Sequence, residues 1–321
     1  MKNRRGVALL TALWLVVAIA AVVLEFSLEA KERRQLGVDT AERGIARAAA
    51  AGALSIVHAK LDYALRVAPQ GTGNVALLRA SDPWLDVDSL YSGRYMVDSI
   101  DVMVKARDLG TQLNINNLTE NEFRTFFSFV LSDYETADRL AQAILDWRDP
   151  DDIPRARGAE RDDYIKANML QLPQNGPFRE VEDLLHVMGM TTEIYALVSP
   201  YLTTRGEGFV NLNTAPAPVL RTLPGMTDVI LANILQLRSQ GRRITSVNQV
   251  LQAAQRGRPL TAAQTAPNGA GGRLAARTTV DTREVELTLT AKAAGQSQPA
   301  RLMAIVERSA NTLATIEWKQ W

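Results

Sequence analysis

The chain has 321 residues, with 36 lysines and arginines against 35 aspartates and glutamates and a net charge of +1, so no global field draws it toward nucleic acid or an anionic surface. It has no cysteine, which excludes disulfide staples, thiolate nucleophiles and sulfur-ligated metals. Its length allows a substantial core and more than one domain, and its only histidines, His58 and His186, fall within helical patterns.

The N-terminus carries Lys2, Arg4, Arg5 and Gly6, then runs apolar from Val7 to Leu24 with Thr11 as its only polar member. As a helix that run spans about 27 Å, close to the thickness of a bilayer's hydrocarbon core. The basic leader predicts a cytoplasmic start and places everything beyond Leu24 across the membrane. A cleaved secretory signal would have a shorter apolar run, and the small residues Ala18–Ala21 lie inside this one. An ordinary signal anchor is a second reading. The third rests on Gly6, which stands immediately before the apolar helix. That arrangement is similar to the type IV pilin class of leader, cut between Gly6 and Val7 by a prepilin peptidase. The apolar segment then stays on the mature chain as anchor and assembly helix.

From Ser27 to about Arg66 there is no proline and helix formers dominate, so residues 7–66 are expected to form one helix with 7–24 in the membrane. Ala41, Ile45, Ala48, Gly52, Ile56, Ala59 and Tyr63 recur at steps of three and four, a stripe expected to pack on a sheet. A long coiled-coil stalk is the alternative, but the stripe's small residues suit close packing on strands. Residues 67–108 read as a loop-rich connection and then one strand over Tyr95–Ala106, broken at Asp98. The alternations at Val285–Ala291, Leu302–Val306 and Ala314–Trp318 predict three further strands within residues 279–321. A long helix on an antiparallel sheet is an α+β architecture.

Residues 109–256 interrupt that sheet and are expected to form an all-helical domain of two related units. Leu113-Asn114-Ile115-Asn116 opens one unit and Val210-Asn211-Leu212-Asn213 the other. In unit one the helix-forming runs are Glu120–Leu131, Ala137–Trp147 and Phe178–Met188. In unit two they are Ala217–Leu223, Val229–Leu237 and Ser246–Ala254. The asparagines can cap the following helix or close a turn. Residues 257–278, rich in Gly, Pro, Ala and Arg, read as a mobile loop. In unit two, Leu223-Pro224-Gly225-Met226 with Arg238, Arg242 and Arg243 resembles a helix-hairpin-helix module, whose backbone amides hold a DNA phosphate. A membrane-anchored DNA-binding protein is therefore the alternative reading. Thr227 in place of the hairpin's second glycine weighs against it, as does Leu131-Ser132-Asp133-Tyr134 in unit one.

Between the helices of unit one lies an acidic loop containing Asp146, Asp149, Asp151, Asp152, Glu160, Asp162 and Asp163. Carboxylates at adjacent and alternate positions can converge on a hard cation, and calcium accepts about six to eight oxygens in flexible geometry. The other reading is a solvated loop paired with Arg148, Arg155, Arg157 and Arg161. Five or more unneutralised carboxylates would repel one another, which favours the metal.

Several of these features together resemble the large minor pseudopilin family (GspK) of bacterial type II secretion systems. They are Arg5-Gly6-Val7-Ala8-Leu9-Leu10, Leu113–Asn116, Asp146-Trp147-x-Asp149-x-Asp151, Gly158-Ala159-Glu160 with Tyr164, and Val210–Ala215. The resemblance covers nearly the whole chain. It implies a pilin-like fold with an inserted helical domain and calcium on the acidic loop at Asp146, Asp149, Asp151, Asp152 and Glu160. It also implies a complex with two other minor pseudopilins, GspI-like and GspJ-like, at the tip of a periplasmic pseudopilus, serving export across the outer membrane. The N-terminal amine is methylated in that class. The implied site is the inner membrane, single pass, with the body in the periplasm. Arg161 stands where that family commonly has an acid, and Asp162 or Asp163 would substitute.

Thr11 occupies the fifth position after the cut, where most pilins have a glutamate that pairs with the amine of the subunit ahead. An unpaired carboxylate in the membrane costs about 2.5–3.5 kcal/mol, so a subunit with nothing ahead of it is better without one. No glycine-rich phosphate loop, no supported Ser/His/Asp set and no H-E-x-x-H is present, so assembly and not catalysis is the expected activity.

Overall fold

The computed structural model describes residues 3–67, 84, 87–255, 261–262, 266–293, 298–309 and 312–320. Most of the expected connection between residues 67 and 86 lies outside them, as do the surroundings of Gly6 and the side chains of Val7 and Thr11.

Helix α1 (Asn3–Val67) is continuous over 65 residues, about 100 Å. Its stretch Leu13–Arg34 is long and apolar enough to cross a membrane, and none of it is buried among the described residues. Its last third packs on a sheet through Ala46, Ala49, Ala50, Ala53, Val57, Leu61 and Ala64. This corrects the expected stripe: Ile45 is 53% exposed and Tyr63 68%, and Ala41, Ala48, Ile56 and Ala59 are exposed as well. The buried row lies one residue on, a rotation of about 100° around the helix. Both rows are rich in alanine at the same steps, so periodicity alone could not choose between them. The row that won carries Val57 and Leu61 among alanines, which lets the helix axis come close to the strands.

A short helix, α2 (Val87–Tyr91), leads into the sheet. The expected single strand is two: β1 (Gly93–Val97) and β2 (Ile100–Asp108) form a hairpin through Asp98 and Ser99. Both turn residues have positive φ, 44° and 67°, the geometry that matches the twist of flanking strands. Strand β2 then pairs antiparallel with the returning chain, giving the order β1-β2-β7-β8-β9 with β7 (Glu284–Ala291), β8 (Ala300–Ser309) and β9 (Thr312–Gln320). Val285, Leu287, Leu289, Leu302, Ala304 and Val306 face α1.

The chain leaves the sheet after Asp108 and returns at Glu284, and Asp108 stands opposite Val285 in the register. The insertion is thus mounted on two neighbouring strand ends. It contains β3 (Leu113–Asn114), α3 (Glu120–Leu131), α4 (Tyr134–Arg148), α5 (Arg161–Lys166), a 3-10 turn (Val181–His186) and α6 (Thr192–Val198). There follow β4 (Leu202–Thr203), β5 (Val210–Asn211), α7 (Ala217–Thr222), α8 (Asp228–Ser239) and α9 (Val247–Ala254). Helix α10 (Ala270–Ala275) and β6 (Thr278–Thr279) complete it, so part of the stretch expected as a mobile loop is ordered secondary structure. Leu274 is fully buried there, which gives those residues a reason to fold.

The two asparagine motifs make matching bonds. Asn114 Oδ1 accepts from Asn116 N, and Asn211 Oδ1 from Asn213 N. Asn116 exchanges two hydrogen bonds with the Phe178 backbone, and Asn213 two with the Ile244 backbone. Arg148 donates to the Ile115 and Leu118 carbonyls, and Arg238 to those of Leu212 and Ala215. So Asn114 and Asn211 close turns, whereas Asn116 and Asn213 clamp remote segments. The helix cap in the first motif is Thr119, in a reciprocal box with Glu122.

One comparison distinguishes the two faces of α1. Ala53→Leu, on the fully buried row, should cost about 1–3 kcal/mol by overpacking. Ala48→Leu, on the exposed row, should stay within about 0.5 kcal/mol. Urea unfolding of the two variants reads the difference, and equal losses would contradict this packing.

Candidate metal centre

The acidic loop runs from the end of α4 to the start of α5. Helix α4 is capped by Asp133, which accepts from the amides of Glu135 and Thr136, and it ends at Asp149. Below the loop, Trp147 stacks on Phe178 with ring centroids 6.2 Å apart and tilts against Tyr164 at 5.7 Å. The Tyr164 hydroxyl accepts from Met188 N at 2.8 Å, and burial pushes its phenol up to about 12. This aromatic layer fixes the two ends of the loop.

Of the five candidate ligands, three converge. Asp149, Asp151 and Glu160 each present a carboxylate oxygen within 4.8 Å of the others. Glu160 is 2% exposed and neither of its oxygens has a hydrogen-bond partner; Asp149 Oδ1 is also buried without one. Burial, followed by the charges of Asp146, Asp149, Asp152 and Asp151, pushes the Glu160 carboxyl up to about 7. A buried acceptor left unpaired costs about 1–3 kcal/mol, more when charged. A cation among the three oxygens would satisfy what the protein leaves open.

The other two candidates are engaged elsewhere. Asp146, fully buried, is paired with Arg155 through its side chain and takes the Arg155 amide at 3.1 Å. Asp152 Oδ1 accepts from Asn175 Nδ2 at 3.0 Å, and Asn175 also binds the Asp151 carbonyl. Asp163 takes the Glu160 amide and Asp162 is exposed, so neither joins the three. Of the arginines expected to neutralise the loop, only Arg155 does, bridging Asp146 and Asp149. Arg148 turns to backbone carbonyls and Arg157 to Asp138 at 3.4 Å. Asn175 was missed from the sequence; its left-handed backbone, φ 48°, places its amide over Asp151 and Asp152.

The DNA-binding reading fails on the same kind of inspection. Gly225, φ 84°, lies so close to α10 that a Cβ would sit 2.3 Å from the Ala270 carbonyl oxygen. The following helix is capped by its own Thr227, which accepts from Ile230 N. Arg238 points inward, and burial pushes it down to about 10. The Arg243 side chain is 7% exposed and pairs with Asp281 at 3.0 Å. Neither is presented to a phosphate.

A helix long and apolar enough to cross a membrane runs without a break into an α+β body with a largely helical insertion, the architecture of an enlarged head on a single-pass helix. Sequence models of type II secretion system protein K match residues 110–207 and 210–268, meeting between the two asparagine units. The type II secretion system protein K of Dickeya chrysanthemi is 26% identical over 276 residues, 69% of this chain and 73% of that protein. The corresponding protein of Pectobacterium carotovorum subsp. carotovorum is 28% identical over 232 residues, 66% of this chain and 67% of that one. A chain in the crystal structure of the GspK-GspI-GspJ complex from the enterotoxigenic Escherichia coli type 2 secretion system has the same fold. It aligns with a TM-score of 0.63 at 16% identity, over 88% of this chain and 98% of that one. Together these matches support identifying the chain with the type II secretion system protein K family.

Gly158 tests the loop's geometry. A Cβ there would lie 1.8 Å from Asp146 Oδ2, so Gly158→Ala must displace the buried carboxylate from Arg155. The expected loss is about 2 kcal/mol or more in urea unfolding. An unchanged midpoint would show that the loop is not packed this way.

Proposed function

We propose that this chain is a structural minor pseudopilin that caps the tip of the type II secretion pseudopilus and is needed for protein export across the outer membrane. The carrying observation is the continuous helix α1, bare over Leu13–Arg34 and packed on the sheet only in its last third. In this reading a prepilin peptidase cuts between Gly6 and Val7 and Val7 is methylated. The bare segment holds the subunit in the inner membrane with its body in the periplasm until assembly. The body is then a pilin-like fold whose insertion consists of two related units, a division that the matched hydrogen bonds of Asn116 and Asn213 support. The exposed row Ala41, Ile45, Ala48, Ile56, Ala59 and Tyr63 is where the helices of GspI-like and GspJ-like partners would lie. Thr11 supports the tip position, since a capping subunit has no amine ahead of it to pair with a glutamate. The insertion adds bulk above the sheet that would hinder stacking of a further subunit. Assembly, and not catalysis, is the activity.

We also propose calcium on the acidic loop, held by Asp149, Asp151 and Glu160. Asp146 holds Arg155, and Asp152 holds Asn175, so these two shape the loop around the ligands. When bound, calcium supplies the positive charge that the buried Glu160 and its neighbours lack.

Two measurements test these readings. Intact mass of the protein taken from membranes should show loss of residues 1–6 and one added methyl group; a chain still starting at Met1 would overturn the pseudopilin reading. For the metal, calcium at about 100 times its dissociation constant should stabilise the full chain by about 2.7 kcal/mol, read as a higher Tm. Glu160→Gln and Asp149→Asn should each abolish that response. A Tm indifferent to calcium in the unaltered protein would exclude the site.

A further inference from the structure

The insertion and the helix–sheet body have separate apolar cores, and the only buried apolar cluster on the far face of the sheet is the small one of Leu109, Met303 and Ile305 among the described residues. The chain enters and leaves the insertion on neighbouring strand ends, at Asp108 and Glu284. Two adjacent antiparallel strand ends form a natural hinge, so something away from it must fix the tilt of the insertion over the sheet.

That role falls to an ion-pair network centred on Arg205. Arg205 follows β4, within the insertion, and reaches Glu286 of β7 at 3.4 Å and Glu317 of β9 at 3.7 Å. Its third partner is Glu180 of the insertion, at 3.1 Å. Glu286 and Glu317 both stand opposite Ile305 of β8, so they flank it in one cross-strand row on the face away from α1. In the next row Lys319 stands opposite Met303 and pairs with Glu180 at 2.9 Å. The Arg205 side chain is 19% exposed and that of Glu286 16%, so this network is shielded from water more than an ordinary surface pair. Glu286 stands on the hinge strand β7, two residues past Glu284, whereas Glu317 and Lys319 lie on β9, two strands further across the sheet, where leverage on the insertion is greater.

We propose that Arg205 is a charged latch that holds the insertion down on the outer face of the sheet, with Asp108 and Glu284 as the hinge. Its contacts are ionic and few, so the tilt of the insertion depends on charge at Arg205 while the folding of either body does not. This inference concerns the coupling of the two bodies and stands whether or not the chain caps a pseudopilus.

The absence of native cysteine makes the test direct. Cysteines introduced as Arg94→Cys on the sheet and Tyr134→Cys on the insertion, both at exposed side chains, carry spin labels in the full chain in detergent. The distance distribution between them should be narrow. Arg205→Glu, which sets a fourth carboxylate among Glu180, Glu286 and Glu317, should broaden it with loss of the narrow peak. Adding Glu286→Arg and Glu317→Arg to Arg205→Glu should restore the peak, a rescue that a merely structural role for Arg205 would not give. Should Arg205→Glu fail to fold, the double variant Glu317→Ala, Lys319→Ala alters only half-exposed side chains and should also broaden the distribution. An unchanged narrow peak in either folded variant overturns the latch, as does broadening that the charge exchange leaves in place.

Discussion

The carboxylate of Asp108 holds this molecule together at its crossing point. It lies at the end of β2, 2% exposed, and accepts from the Gly110 amide at 2.9 Å and from Asn211 Nδ2 and Thr214 Oγ1 at 2.8 Å each. Thr282 Oγ1 donates to it at 3.0 Å, just before the chain returns to β7. Four donors from three separate segments thus meet on one acid. Burial pushes that carboxyl above the ordinary range against the pull of all four. The sign follows: the charged form at neutral pH costs stability relative to acid, and the hydrogen bonds limit that cost. Gly110 is part of the same arrangement, because a Cβ there would meet Asn211 Cβ at 2.8 Å.

Around this knot, hydrogen bonds do work that an apolar core does elsewhere. Glu284, also buried, accepts from the Glu207 amide at 3.0 Å and so holds the crossing between the two asparagine units against the sheet. Gln112 donates to the Pro200 and Leu202 carbonyls, and Asn114 to those of Arg205 and Gly206. Each satisfies backbone carbonyls of a segment that lies in no long strand or helix. The cost of leaving such carbonyls unpaired explains why amide side chains recur at these places.

The same logic explains the acidic loop by contrast. Most buried polar groups in the insertion are paired, yet Glu160 is left with both oxygens open beside Asp149 and Asp151. Gly158 admits Asp146 to the interior, and Arg155 neutralises Asp146 and Asp149 but reaches no oxygen of Glu160. Other buried side chains also leave single atoms unpartnered, Trp147 Nε1 and Asn233 Nδ2 among them, but Glu160 is the only buried carboxylate among the described residues with both oxygens open.

By itself the sequence determined the long N-terminal helix, because an eighteen-residue run with one polar member, followed by a proline-free stretch, permits little else. It determined five helices of the insertion to within a few residues, as at Glu120–Leu131, since strong capping and a wide apolar face are local signals. The expected helix Phe178–Met188 is instead a 3-10 turn over Val181–His186, and the short helices Arg161–Lys166 and Thr192–Val198 lack the wide apolar face. The sequence also determined that the acidic loop was a cluster of ligand-type residues. Only the tertiary structure decided which of two equally spaced alanine rows on α1 is buried, because that choice depends on the sheet that the helix meets. Likewise it decided that Asp98 and Ser99 turn a hairpin, that Ala270–Ala275 folds over Gly225, and that Arg238 and Arg243 face inward. Those are matters of which distant segment lies opposite, and local residue pattern carries no record of distance across the fold.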